Sequence, residues 1–98
     1  MAYTCSKSAV YTMTQCLARA LGPSGINVNA IGPGLTATEA SMSMPGFEQI
    51  VEETLRGRCL KRRQVPEDLA GTAVYLASES ADFVTGQTIL VNGGTAML

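Results

Sequence analysis

Two short strand patterns separated by a long helical stretch constrain this chain more than any other feature. Ile26, Val28 and Ala30 alternate with Asn27 and Asn29 ahead of Ile31, and Gln87 to Val91 reads as a second strand. Glycine turns close both, Gly32-Pro33-Gly34 and Asn92-Gly93-Gly94. A strand, a helical crossover and a second strand imply a parallel, right-handed unit. Two parallel strands alone make a poor core, and the first would keep one edge of unpaired backbone groups. The chain therefore reads as α/β, ordered helix-strand-helices-strand, and as the end of a larger sheet. The first strand is expected to be central and mostly buried. Its two asparagines then need hydrogen-bond partners, because an unsatisfied buried amide costs about 1–3 kcal/mol. Pinning neighbouring loops would supply them.

The remaining elements follow from spacing and breakers. Val10, Met13, Leu17 and Leu21 recur at helical intervals beside Ala9, Ala18 and Ala20, so one long helix is expected to end at Gly22-Pro23. Its small-residue flank allows another element to approach closely. Residues 40 to 44 are Ser/Met-rich and expected to be mobile. Phe47, Ile50, Val51 and Leu55 make a second amphipathic helix, with Glu52 and Arg56 as an i,i+4 pair. Residues 58 to 64 read as a basic link. Pro66-Glu67-Asp68 starts a third helix, and residues 78 to 83 read as a cap and a further turn.

Composition narrows the chemistry. The chain has 98 residues, 15% of them charged, and a net charge of −1. With no basic run longer than Lys61-Arg62-Arg63, there is no nucleic-acid footprint. Neither a membrane span nor a signal peptide is visible. The three cysteines, Cys5, Cys16 and Cys59, form no Cys-x-x-Cys pair. They read as reduced thiols in a cytoplasmic protein. The absence of histidine removes Ser-His-Asp chemistry, an activated cysteine and most zinc sites.

One pair remains as candidate chemistry. Tyr3 and Lys7 are four residues apart at the head of the first helix, so they share a face. An ammonium about 5 Å from a phenol, at an effective dielectric of about 20, favours the phenolate by about 3 kcal/mol. That brings a tyrosine within reach of acid-base work near neutrality. Because Tyr3 stands so near the start, its orienting helical turn is expected to be absent or frayed. Gly32-Pro33-Gly34 with Ala37 also matches G-x-G-x-x-A after a strand, the dinucleotide fingerprint. That reading is set aside: Pro33 sits inside the turn, no clear helix follows directly, and Glu52 and Glu53 lie in a helical pattern. A glycine-rich loop after a strand is still where α/β proteins bind ligands, and Thr36 and Thr38 offer hydroxyls there.

Taken in order, these pieces resemble one family. Tyr3-Thr4-Cys5-Ser6-Lys7 resembles the Tyr-x-x-x-Lys element of the short-chain dehydrogenases/reductases. Residues 26 to 34 resemble its strand before the Pro-Gly turn. Pro66-Glu67-Asp68-Leu69-Ala70, Tyr75-Leu76-Ala77-Ser78 and Thr85-Gly86-Gln87 through Asn92-Gly93-Gly94 resemble its C-terminal helix and last strand.

The resemblance implies that residues 1–98 are the C-terminal segment of one Rossmann-like, doubly wound parallel-sheet domain, with the N-terminal half absent. It implies an oxidoreductase using NAD or NADP on a small-molecule alcohol or carbonyl, without nucleic-acid or membrane partners. Tyr3 would be the general acid/base. Lys7 would lower its pKa and bind the nicotinamide ribose. Pro33, Gly34, Thr36 and Thr38 would hold the nicotinamide carboxamide. Ser6 would be structural, and residues 39 to 57 a variable substrate lid. The first helix and last strand would serve the interfaces of a homo-oligomer.

The family's first strand, phosphate loop, ribose selector and catalytic serine and asparagine have no counterpart here. Thr36 replaces a usual aliphatic residue, and Asn92 a frequent Asp. The 98 residues alone are therefore expected not to oxidise NAD(P)H. A catalytically inactive oligomerisation or interaction module is the alternative.

Overall fold

The computed structural model describes residues 1–97, with Tyr3 described by its backbone alone. The elements are α1 (Ala2–Leu21), β1 (Ala30–Pro33), α2 (Glu39–Met42), α3 (Phe47–Gly57), α4 (Glu67–Ala77) and β2 (Thr88–Val91). β1 and β2 form a two-stranded sheet. Its bonds run from Ala30 N–H to Gln87 O (2.9 Å) and from Gly34 N–H to Val91 O (3.2 Å). Equal steps of four along both strands make the pair parallel, as the pattern requires. The chain forms two compact units, Met1–Ile31 with Val74–Ile89, and Gly32–Ala73 with the residues from Leu90 on.

In the first unit α1 is helical from Ala2, and the Cys5 N–H already bonds the Met1 carbonyl at 3.0 Å. Tyr3 lies within this first turn, one residue after the helix begins, so no helical turn stands ahead of it among the described residues. The stop at Gly22-Pro23 is softer than expected. Gly22 stays right-handed, a 3-10 turn runs through Gly22–Ser24, and Gly25 at φ +76° ends it. What α1 buries is Thr14 (5% exposed) and Ala18 (7%), while Val10, Met13 and Leu17 are 41%, 53% and 39% exposed. The small-residue flank is indeed where another element comes close: a Cβ on Gly86 would lie 3.4 Å from that of Ala18.

The first strand begins four residues later than its alternation suggests, and it includes Gly32 and Pro33. The preceding residues pair with an irregular segment instead. Val28 N–H bonds Thr85 Oγ1 (3.0 Å), and Gly86 N–H bonds Val28 O (2.7 Å). The asparagines pin that segment, as their chemistry demands. Asn27 Nδ2 donates to the carbonyls of Ala81 (3.1 Å) and Asp82 (2.9 Å). Asn29 Nδ2 donates to Val84 O (2.8 Å), and its Oδ1 accepts from Gln87 N–H (3.1 Å). β1 is half-buried apart from buried Gly32 and exposed Pro33. This corrects the expectation of a mostly buried strand, since no neighbour covers its second edge among the described residues.

The second unit is built around polar groups. Phe47 and Val51 of α3 are its buried apolar side chains, beside Arg58 (3% exposed) and Gln64 (5%). Residues 58 to 64 are therefore not merely a basic link. The Arg58 guanidinium donates to Thr95 Oγ1 (3.1 Å), Arg62 O (3.0 Å) and Leu35 O (3.3 Å), fastening three stretches of chain. Gln64 forms a parallel bridge with Thr36, and its Nε2 donates to Val91 O at 2.6 Å. Ion pairs among the described residues join Arg62 to Asp68 and Arg63 to Glu48. The expected Glu52–Arg56 pair does not close, since two exposed long side chains gain little by giving up their freedom. The Ser/Met-rich stretch contains α2, capped by Thr38.

Candidate functional site

The predicted site residues fall in two groups. Tyr3 and Lys7 lie in the first two turns of α1, one turn apart along an unbroken helix. Lys7 is exposed, while the Tyr3 side chain lies outside the described residues. Pro33, Gly34, Thr36 and Thr38 follow one another along the end of β1 and the loop after it, in the second unit.

This loop is shaped by close packing. Gly34 donates its N–H to Val91 O. A Cβ at Gly34 would lie 2.7 Å from Gln64 Oε1 and 2.9 Å from Asn92 Cβ. Its φ is not in the left-handed region, so lack of space, not backbone conformation, requires the glycine. Gln64 Oε1 is itself buried without a hydrogen-bond partner, wedged against that glycine. Asn92, where the resemblance favours Asp, uses both ends of its amide. Nδ2 donates to Ala96 O (3.0 Å), and Oδ1 accepts from Gly94 N–H (3.0 Å). An aspartate would lose the first bond.

The two threonines already have partners inside the loop. Thr36 Oγ1 donates to Gly34 O at 3.0 Å. Thr38 caps α2: its Oγ1 accepts from Ser41 N–H (3.1 Å) and lies 3.0 Å from Ser41 Oγ. Ser41 Oγ accepts from Thr38 N–H (2.8 Å), completing a capping box. Each threonine oxygen still has acceptor capacity, which suits the two N–H donors of a carboxamide. The Gly34, Ala37 and Thr38 N–H groups are already taken by Val91 O, Gln64 O and Ser41 Oγ, and Pro33 has none. No glycine-rich phosphate loop occurs within the 98 residues.

Behind the loop, the start of α4 is fixed electrostatically. Asp68 receives two bonds from Arg62, at 2.7 and 2.8 Å, and one from Val65 N–H at 2.9 Å. The Arg62 hydrogen bonds, then the Val65 N–H, hold the Asp68 carboxyl down to about 2. The same pairing raises Arg62. A cavity of about 150 Å³ lies beside this pair, bounded by Arg58, Arg62, Gln64, Asp68, Val91 and Gly93. It contains none of the predicted site residues. Sequence reasoning missed Arg58 and Gln64, because nothing in a run of basic and polar residues marks which members are buried. Among the described residues no cluster suits a metal ion, and no helix is long and apolar enough to cross a membrane.

Comparison with known proteins agrees with this architecture. A family model described as enoyl-(acyl carrier protein) reductase matches residues 1–96. The chain is 44% identical over 92 residues to 2-dehydro-3-deoxy-D-gluconate 5-dehydrogenase of Dickeya dadantii (strain 3937), covering 94% of this chain and 36% of that protein. A 3-oxoacyl-[acyl-carrier protein] reductase from Brucella melitensis ATCC 23457 superposes with a TM-score of 0.87 at 37% identity, over 98% of this chain and 35% of that one. A Brucella melitensis reductase of the same description, solved with bound NAD, gives 0.85 at 38% identity, over 98% and 34%. The chain thus spans about a third of the length of its relatives. By its matched extent, its parallel α/β layout and its relatives, this chain belongs to the short-chain dehydrogenase/reductase family of oxidoreductases.

Proposed function

We propose that this segment carries the proton-transfer and nicotinamide-amide ends of an NAD(P)-dependent enzyme that interconverts a small-molecule alcohol and a carbonyl. On this reading residues 1–98 are the C-terminal segment of one Rossmann-like domain. The observation that carries the proposal is the unbroken α1 helix from Ala2, which gives positions 3 and 7 a common face within a chain of this family. A bound nicotinamide would supply a hydride to the carbonyl carbon in its reduced form, or accept one from the alcohol in its oxidised form. In the reducing direction Tyr3 would give its phenolic proton to the carbonyl oxygen, leaving the alcohol and a phenolate. Lys7 stabilises that phenolate and hydrogen-bonds the nicotinamide ribose. Pro33, Gly34, Thr36 and Thr38 hold the carboxamide. The relative solved with NAD supports this choice of cofactor, and three exposed free thiols suit a reducing, cytoplasmic compartment.

The test is nicotinamide oxidation by the 98 residues alone and by any longer open frame found on translating the source DNA upstream of Met1. The 98 residues are expected to be inactive. A longer frame supplying the phosphate loop is expected to be active and to lose at least about a hundredfold in kcat on Tyr3→Phe. Undiminished turnover by that variant would refute the assignment.

A second reading is favoured by the exposed apolar side of α1: the segment acts as an inactive module that joins subunits, its own or another's. Sedimentation of the chain, alone and mixed with a full-length member of the family, tests this reading. A module predicts a stable oligomer or a mixed complex at micromolar concentration, and a monomer in both argues against it.

A further inference from the structure

One buried charge in the second unit has no acid against it. Arg58 is 3% exposed, and its three hydrogen bonds all go to neutral oxygens, Thr95 Oγ1, Arg62 O and Leu35 O. The ion pairs among the described residues, Arg62–Asp68 and Arg63–Glu48, leave it out. A cation taken out of water is costly until an opposite charge answers it. Three of the five guanidinium N–H groups are spent, which leaves one on each terminal nitrogen. The group is also fixed in place. Its stem lies across Gly93, where a Cβ would stand 2.9 Å from Arg58 Cδ.

This guanidinium bounds the cavity of about 150 Å³ at the end of β2. The wall carries two cations, Arg58 and Arg62, against one carboxylate, Asp68. That carboxylate takes two bonds from Arg62 and one from Val65 N–H, and among the described residues none from Arg58. Leu60 and Val91 complete the wall with apolar surface. The space is well below the roughly 300 Å³ at which pockets begin to take drug-sized ligands. It suits an ion of a few atoms and not a nucleotide.

We infer that this cavity is an anion site, in which a small oxyanion, phosphate or carboxylate, pairs with Arg58. Bonds from a guanidinium to an oxyanion are about twice as strong as those to neutral oxygens, so the ion supplies what the present partners of Arg58 do not. Because Arg58 also fastens Leu35 O and Thr95, a bound ion strengthens the joint between the loop after β1 and the end of β2. The site contains neither Tyr3 nor Lys7 and stands apart from the function proposed above.

Thermal melts of the 98-residue chain test it, with about 20 mM phosphate or acetate exchanged for chloride at equal ionic strength and pH. At least one of the two is expected to raise the melting temperature by about 5 °C or more, as a dissociation constant of about 1 mM requires. A response to phosphate alone or to acetate alone supports the site and names its ion. Arg58→Met is expected to abolish the rise, and Arg19→Met, at an exposed arginine of α1, to keep it. No rise with either ion overturns the inference, the cavity then taking water alone. An equal rise in Arg58→Met overturns it as well, the effect then being general to the surface. Should Arg58→Met fail to fold, a proton–nitrogen NMR titration of the unaltered chain decides. Saturable movement of the Arg58 Nε–H and Gly93 N–H signals at millimolar ion supports the site, and its absence overturns it. Failure of the Tyr3 chemistry in the activity assay would leave these results untouched.

Discussion

Gly34→Ala is the substitution for which the structure specifies both sign and cause. The backbone at Gly34 is open to any L-residue, so alanine brings no torsional strain. Its methyl group would arrive 2.7 Å from Gln64 Oε1, 2.9 Å from Asn92 Cβ and 3.1 Å from Asn92 Cα. The glutamine amide can swing aside only by giving up its bond to Val91 O, and Asn92 Cα is backbone at the end of β2. Overpacking of this kind costs about 1–3 kcal/mol, which lowers the melting temperature of a domain this size by about 5–20 °C. Gly71→Ala is the control. It lies inside α4 with nothing within 4 Å of the new methyl, so alanine should stabilise by about 0.5–1 kcal/mol. Adding Gln64→Ala to Gly34→Ala removes the nearest contact and should recover part of the loss, the Asn92 contacts remaining. Thermal melts followed by circular dichroism read all of these. A Gly34→Ala chain as stable as the parent, or a double variant no better than the sum of its parts, would refute the packing argument.

Asn29→Ala removes the bonds to Val84 O and from Gln87 N–H together, and urea titration should show a loss of about 1–3 kcal/mol. Substituting the exposed Gln49 should do almost nothing. For Asp68 the folded carboxyl titrates below its ordinary value of about 3.9, so folding favours the ionised form. Its contribution is complete above about pH 4 and is lost as pH falls toward about 2. The melting difference between the parent and Asp68→Asn should therefore shrink across that window; a constant difference would contradict the pairing.

How much could be read from residues alone depended on whether a residue's chemistry forced its surroundings. Asn27 and Asn29 were legible because an amide near a strand must find partners, and both bond the segment before β2. The glycine-rich turns and the start of α4 were legible for similar local reasons. The onset of β1 was not, because its alternation continues through residues whose bonds go to a loop instead of a ladder. Arg58 was hidden because a buried guanidinium and a solvated one look identical in sequence, and two of its acceptors, Leu35 O and Thr95 Oγ1, are remote in the chain. On α1 the large apolar residues stay exposed while Thr14 and Ala18 are covered, since close approach of Gly86 rewards small side chains there. Around the candidate site, the turn after β1 and the helical spacing of positions 3 and 7 were legible as local structure. The occupation of Thr38 by a cap was not, because it depends on a four-residue helix too short to leave a periodic signal.

The assignment of Tyr3 and Lys7 as an acid-base pair is tested most directly by ultraviolet titration of the phenols in the folded chain. Three tyrosines are present, Tyr3, Tyr11 and Tyr75. A one-phenol step below the ordinary tyrosine range is predicted, abolished by Tyr3→Phe and moved upward by Lys7→Met. A titration without that early step, or one indifferent to Lys7→Met, would contradict it.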